Sequence, residues 1–269
     1  MLSALQEKTW MTSLREVFYD PEKSQVGTLW RGHLLLFDRP PAPSYSSRQG
    51  LRLLFVFVLL EGAVRPLLGT AARRLGIAGH QWWALLELSF LIALSFWLVV
   101  SLAGVHMSQL GLYKWLRWSK TEKLYLLQVV PIAIVVFSCF TSSDLTKLWA
   151  RPHLASITLF VFVPKMIWGF YQEFLYRGVL QTELVRRWGP MAGILASNLV
   201  FTFGPLHAYH FLLASRHPSH LWIFVGIFSV GLFFALIFWR SGNLWIIGIM
   251  HGLGDWFIDG LAQVSRMAH

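Results

Sequence analysis

Seven stretches of this 269-residue chain are apolar over a length that suits a membrane helix, at about 51–70, 82–104, 124–141, 154–184, 191–213, 221–239 and 243–262. A helical bilayer crossing needs roughly 20 predominantly apolar residues. No segment alternates apolar and polar residues as a transmembrane barrel requires. The pattern predicts an all-α polytopic membrane protein, a bundle of seven or eight transmembrane helices. The eighth comes from the fourth stretch, which exceeds one crossing. It tilts, kinks at Pro164, or splits into a span and a second helix. No internal repeat is visible, which disfavours a transporter built from inverted repeats.

Residues 1–50 break the pattern. Glu7, Lys8, Arg15 and Glu16 interrupt any compact apolar core, so no secretory signal is expected there. Leu5, Trp10, Met11, Leu14, Val17 and Phe18 recur at roughly helical spacing. That spacing fits an amphipathic helix lying on the membrane or on the protein's own cytosolic face. Pro40-Pro41-Ala42-Pro43, with Ser44, Ser46 and Ser47, reads as a linker. Two regions follow: a cytosolic or interfacial segment over 1–50 and a transmembrane domain over 51–269.

Composition agrees with the pattern: 55% of residues are hydrophobic and 13% charged. The formal net charge of +10 would suggest nucleic acid for a soluble protein. Here the Lys and Arg residues fall mostly between apolar stretches, where they set topology and meet anionic headgroups. Partners are thus the lipid bilayer and not nucleic acid. Lys8 to Arg48, Lys114 to Lys123, Arg186, Arg187 and Arg240 fall on one side; Arg73, Arg74, Lys147, Arg151, Arg216 and Arg266 fall on the other. The bias places the N-terminus in the cytoplasm. The single cysteine, Cys139, excludes an intrachain disulfide and a multi-cysteine zinc site.

Against this background three polar groups stand out, because ionisable residues within spans are costly and mark functional sites by default. The fourth stretch carries Tyr171-Gln172-Glu173-Phe174-Leu175-Tyr176-Arg177-Gly178. Glu173 and Arg177, four apart, share a helix face and can pair; Gln172 points about 100° away. The fifth carries Phe203-Gly204-Pro205-Leu206-His207, with His210 one turn on. Pro205 kinks the helix and frees a backbone carbonyl near His207. The seventh carries His251 and Asp255 on one face, flanked by Gly248 and Gly252, whose spacing lets another helix approach closely. Two histidines and a carboxylate could hold zinc, or could activate water and hold an oxyanion without metal. There is no His-Glu-x-x-His and no Gly-x-Ser-x-Gly element.

In this order and spacing the motifs resemble those of the CPBP family of intramembrane proteases, which includes the CAAX-processing endopeptidases. The family pattern is Glu-Glu-x-x-x-Arg, Phe-x-x-x-His and His-x-x-x-Asn or Asp on separate helices. Glu173 and Arg177 match the first, Phe203 and His207 the second, His251 and Asp255 the third. The resemblance implies an intramembrane endopeptidase that cuts near the C-terminus of a membrane-anchored or lipidated protein, at a CAAX-like tail or a C-terminal sorting signal. It implies a multi-pass membrane protein, and the compact size without long soluble insertions points to a prokaryotic inner membrane. No cofactor is implied; zinc is not favoured. A glutamate at position 172 would activate water with His207. His251 and Asp255 would hold the oxyanion or orient the scissile bond, and Arg177 would support Glu173. Phe203 and His210 take supporting roles.

One position departs: Gln172 stands where the family has its first glutamate. An amide cannot take up a proton at neutral pH. The chain is then an inactivated variant, a natural pseudoprotease, or an enzyme in which Glu173 has taken over the base role. The first is favoured, since the change is isosteric and falls on this one position, leaving the chain as it stands inactive. Two other functions stay open: a catalytically silent binding or immunity protein of the same fold, and a proton-coupled transporter using the buried His and Asp residues.

Overall fold

The computed structural model describes residues 45–118, 120–149 and 154–266. The amphipathic segment expected before residue 45 lies outside them. Among the described residues the chain is helical apart from short connections and forms no strand. The helices are α1 (Ser47–Leu59), α2 (Arg65–Arg74), α3 (Gln81–Trp97), α4 (Lys120–Phe140), α5 (Ser142–Trp149), α6 (Leu154–Ile157), α7 (Val163–Glu173), α8 (Thr182–Phe203), α9 (Ala208–Arg216), α10 (Trp222–Ser241), α11 (Leu244–Asp255) and α12 (Leu261–Arg266). Ser46 and Ser47, expected in the linker, instead cap and open α1. The Ser46 hydroxyl accepts from the Gln49 amide and the Gln49 side chain accepts from the Ser46 amide, a reciprocal capping box.

Each of the seven apolar stretches falls on helix. By length and composition three runs among the described residues suffice to cross a membrane: Trp82–Ala103, Ala155–Arg216 and Pro218–Ser241. A fourth is added if the pair Tyr125–Phe140 and Ser142–Leu148, bent by 94°, counts as one span. Large apolar side chains point outward along these helices, among them Phe90, Trp97, Ile132, Val135, Phe140 and Phe233. Such outward apolar surface suits lipid contact rather than water.

Two breaks shape the long central run. At Gly189 the backbone is left-handed (φ 79°, ψ 170°), and Pro190 starts the helix anew. This separates the fourth and fifth apolar stretches. The second break is at Gly204, which is extended; Pro205–His207 then forms one 3-10 turn before α9. Pro164 opens α7 directly after a π turn at Thr158–Phe162.

The core is organised around the end of α7 and the π-helical segment Phe174–Gln181 that continues it. Every residue from 171 to 184 is buried, so this helix is enclosed on all sides. Its closest partner is α11. Glycines allow the approach. A Cβ on Gly169 would overlap the backbone of Gly252 and lie 2.8 Å from the carbonyl carbon of His251. One on Gly252 would lie 2.8 Å from the Cα of Met166, and one on Gly248 2.7 Å from the ring of Phe170. The Gly248/Gly252 pair thus serves the close packing expected of it.

Candidate active site

The segment Tyr171–Arg177 presents its polar residues to three different partners. The carboxylate of Glu173 sits between two of them. Its Oε2 lies 3.4 Å from Nε of Arg177, one turn on. Its Oε1 accepts a 2.6 Å hydrogen bond from Nδ1 of His251 on α11. Because a carboxylate only accepts, that contact fixes a proton on Nδ1. Nε2 of His251 then faces Oδ1 of Asp255 at 3.7 Å, an ion-pair separation longer than a hydrogen bond. Gln172 closes the chain by donating from Nε2 to Oδ2 of Asp255 at 3.3 Å.

These contacts run Arg177–Glu173–His251–Asp255–Gln172, and accessibility rises as far as Asp255 and falls again at Gln172, which is 3% exposed. The side chains of Arg177 and Glu173 are 0% exposed, His251 is 13% and Asp255 18%. Arg177 is held further by donating to Asn198 Oδ1 at 3.2 Å and to the Gly231 carbonyl at 2.9 Å. Its guanidinium also lies over the ring of Phe201, 4.7 Å from the centroid. A buried arginine with these partners fixes Glu173, and through it the ring of His251.

His207 owes its orientation to Pro205. In an unbroken helix the carbonyl of Phe201 would accept from the amide of residue 205, which proline lacks. Nδ1 of His207 takes that carbonyl instead, at 2.7 Å. A carbonyl only accepts, so Nδ1 carries the proton and the lone pair is on Nε2. The ring of Phe201 touches both histidines, with centroid distances of 5.0 Å to His207 and 6.1 Å to His251. His210 stacks behind His207 at 5.7 Å.

Gln172, Glu173, Arg177, His251 and Asp255 are therefore joined by direct contacts, and His207 flanks them across Phe201. Phe203 is half exposed and packs on Phe211 and Phe224. The aromatic residue against the cluster is Phe201, 3% exposed. Among the described residues no three His, Cys, Asp or Glu side chains converge as metal ligands.

A second buried carboxylate lies beside the motif. Glu61, in the π turn Leu60–Val64 after α1, is 1% exposed. It accepts from the hydroxyls of Tyr171 at 3.0 Å and Tyr176 at 2.9 Å, and pairs with Arg65. Tyr171 and Tyr176 bracket the polar motif, and the same π turn packs against the turn that carries His207. The available signal in the sequence was Glu61 and Arg65, four apart inside the first apolar stretch. Residues five apart, such as Tyr171 and Tyr176, share a face only where the helix widens to π geometry.

Residues 152–257 match the family model described as Type II CAAX prenyl endopeptidase Rce1-like. The matched region holds all three motifs and bears out the resemblance drawn from them. Together with the apolar helices it supports an integral membrane protein that holds, over these residues, a region similar to that family. No match was found among curated proteins or among solved structures.

Proposed function

We propose that this protein is an intramembrane endopeptidase that hydrolyses a peptide bond near the C-terminus of a membrane-anchored or lipidated protein. The substrate is a CAAX-like tail or a C-terminal sorting signal. The observation that carries this reading is the chain of contacts from Arg177 to Gln172, which is buried at both ends and most accessible at Asp255. A second support is His207, whose lone pair is freed on Nε2 by the bond to Phe201.

In the proposed reaction water attacks the scissile carbonyl while a base near the Gln172/Asp255 pair and His207 takes its proton. His251, held by Glu173 and protonated on both nitrogens, donates its Nε2–H to the developing oxyanion. Arg177 and Glu173 stay out of the reaction and keep that ring in place. In this reading the seven apolar stretches cross the bilayer seven times, or eight if the fourth stretch divides. The N-terminus is cytoplasmic and the membrane is a prokaryotic plasma membrane.

Gln172 favours one other reading, a catalytically silent binding protein of the same fold. The test is hydrolysis of an internally quenched, prenylated CAAX-type peptide by the purified protein in liposomes, with and without chelator, beside Gln172→Glu. Cleavage by either protein that survives chelation supports the endopeptidase reading. Cleavage by Gln172→Glu alone marks this chain as an inactivated variant. Absence of cleavage by both favours the silent protein.

A further inference from the structure

We propose that Asp255 is the general base of this chain and that Gln172 is its hydrogen-bond donor. This rests on the endopeptidase reading above. It removes the need for position 172 to take up a proton, which an amide cannot do.

Two carboxylates in the cluster could serve as base, and geometry separates them. Glu173 is 0% exposed; one oxygen is bonded to His251 at 2.6 Å and the other faces Arg177 at 3.4 Å. Both oxygens are buried out of reach of water, and taking up a proton would leave Arg177 buried beside a neutral acid. Asp255 is the more accessible, with 18% of its side chain exposed. Its Oδ2 accepts from Gln172 at 3.3 Å and its Oδ1 faces His251 at 3.7 Å. Those contacts hold the carboxylate on two sides and leave lone pairs for a water.

Gln172 is the right neighbour for such a base. Two carboxylates at this separation would share one proton, and one of them would be lost as a base. An amide in the same place donates to the carboxylate and competes for nothing. The step balances as follows. Asp255 takes a proton from water as the water oxygen bonds to the carbonyl carbon and the carbonyl electron pair moves onto oxygen. When the intermediate collapses, the C–N bond breaks and the proton passes from Asp255 to the leaving nitrogen. The products are a carboxylic acid and an amine.

Four proteins test this on the same prenylated peptide in liposomes: the chain as it stands, Asp255→Asn, Gln172→Glu, and the two changes together. Rates are taken per folded protein, with folding read from tryptophan fluorescence on heating. Asn can still donate to an oxyanion or orient a substrate but cannot take a proton. A base role therefore predicts a fall of about a hundredfold or more for Asp255→Asn. Adding Gln172→Glu to it moves the carboxylate to the other helix and regains at least about tenfold of that loss. Gln172→Glu alone gives no gain, because the paired carboxylates share a proton.

The proposal is overturned if Asp255→Asn costs less than about tenfold, or if the doubly exchanged protein is as slow as Asp255→Asn. It is also overturned if Gln172→Glu alone raises the rate by about tenfold, which assigns the base to position 172 and leaves the endopeptidase reading intact. No cleavage by any of the four overturns the endopeptidase reading and this inference together.

Discussion

Gly169→Ala isolates the contact on which the site geometry depends. The added Cβ would overlap the amide of Gly252 and lie 2.6 Å from its Cα. Ordinary contact begins at 3.4–4 Å, so α7 and α11 must part by about 1 Å. The obstructing atoms are backbone, so no rotamer change relieves them. Three and four residues further along α7, Gln172 and Glu173 reach α11 through bonds of 3.3 and 2.6 Å. A displacement of about 1 Å breaks the first and stretches the second beyond hydrogen-bond length. The expected cost is about 1–3 kcal/mol of stability from overpacking and about a hundredfold in hydrolysis from misplaced groups. Gly226→Ala on α10 is the matched control, since a Cβ there meets nothing within 4 Å. The assay is peptide hydrolysis in liposomes alongside thermal unfolding in detergent. If Gly169→Ala matches the control in both, the close approach of these helices does not set the site.

Other changes probe the supports. Arg177→Met leaves Glu173 buried without its cation and should cost about 3–5 kcal/mol; an unchanged unfolding midpoint in detergent contradicts this. Pro205→Ala supplies an amide that competes with His207 for the Phe201 carbonyl. It should cut hydrolysis while leaving stability equal or up to about 1 kcal/mol higher, and unimpaired turnover would contradict the role given to the proline. Phe201→Leu removes the ring that touches Arg177, His207 and His251 and should lower hydrolysis by about tenfold or more. Phe203→Leu should stay close to the parent, and a reversed order would show that the wrong phenylalanine has been placed at the site.

Features that depend on local helix period were legible before the structure. Glu173 with Arg177, His251 with Asp255, and Gly248 with Gly252 all follow from residues one turn apart sharing a face. The free carbonyl near His207 follows from the missing amide of Pro205. Features that depend on where two distant segments meet were not legible. Glu61 and Tyr171 are 110 residues apart in the chain. The bond from Glu173 to His251 competes with the expected pairing to Arg177 only once α7 and α11 touch. Phase was a further obstacle. The π segment from Phe174 rotates all later residues away from an ideal α-helix. The helix end at Phe203 removes the regular face on which Phe203 would have been assigned.

The most direct test of the endopeptidase account uses heavy-oxygen water. The purified chain is incubated in liposomes with a prenylated CAAX-type peptide, and the products are read by mass spectrometry. The account predicts a new peptide C-terminus that carries the heavy oxygen, formed by the chain as it stands and lost in His207→Ala. Intact, unlabelled peptide after prolonged incubation with both the chain and its Gln172→Glu variant would contradict it.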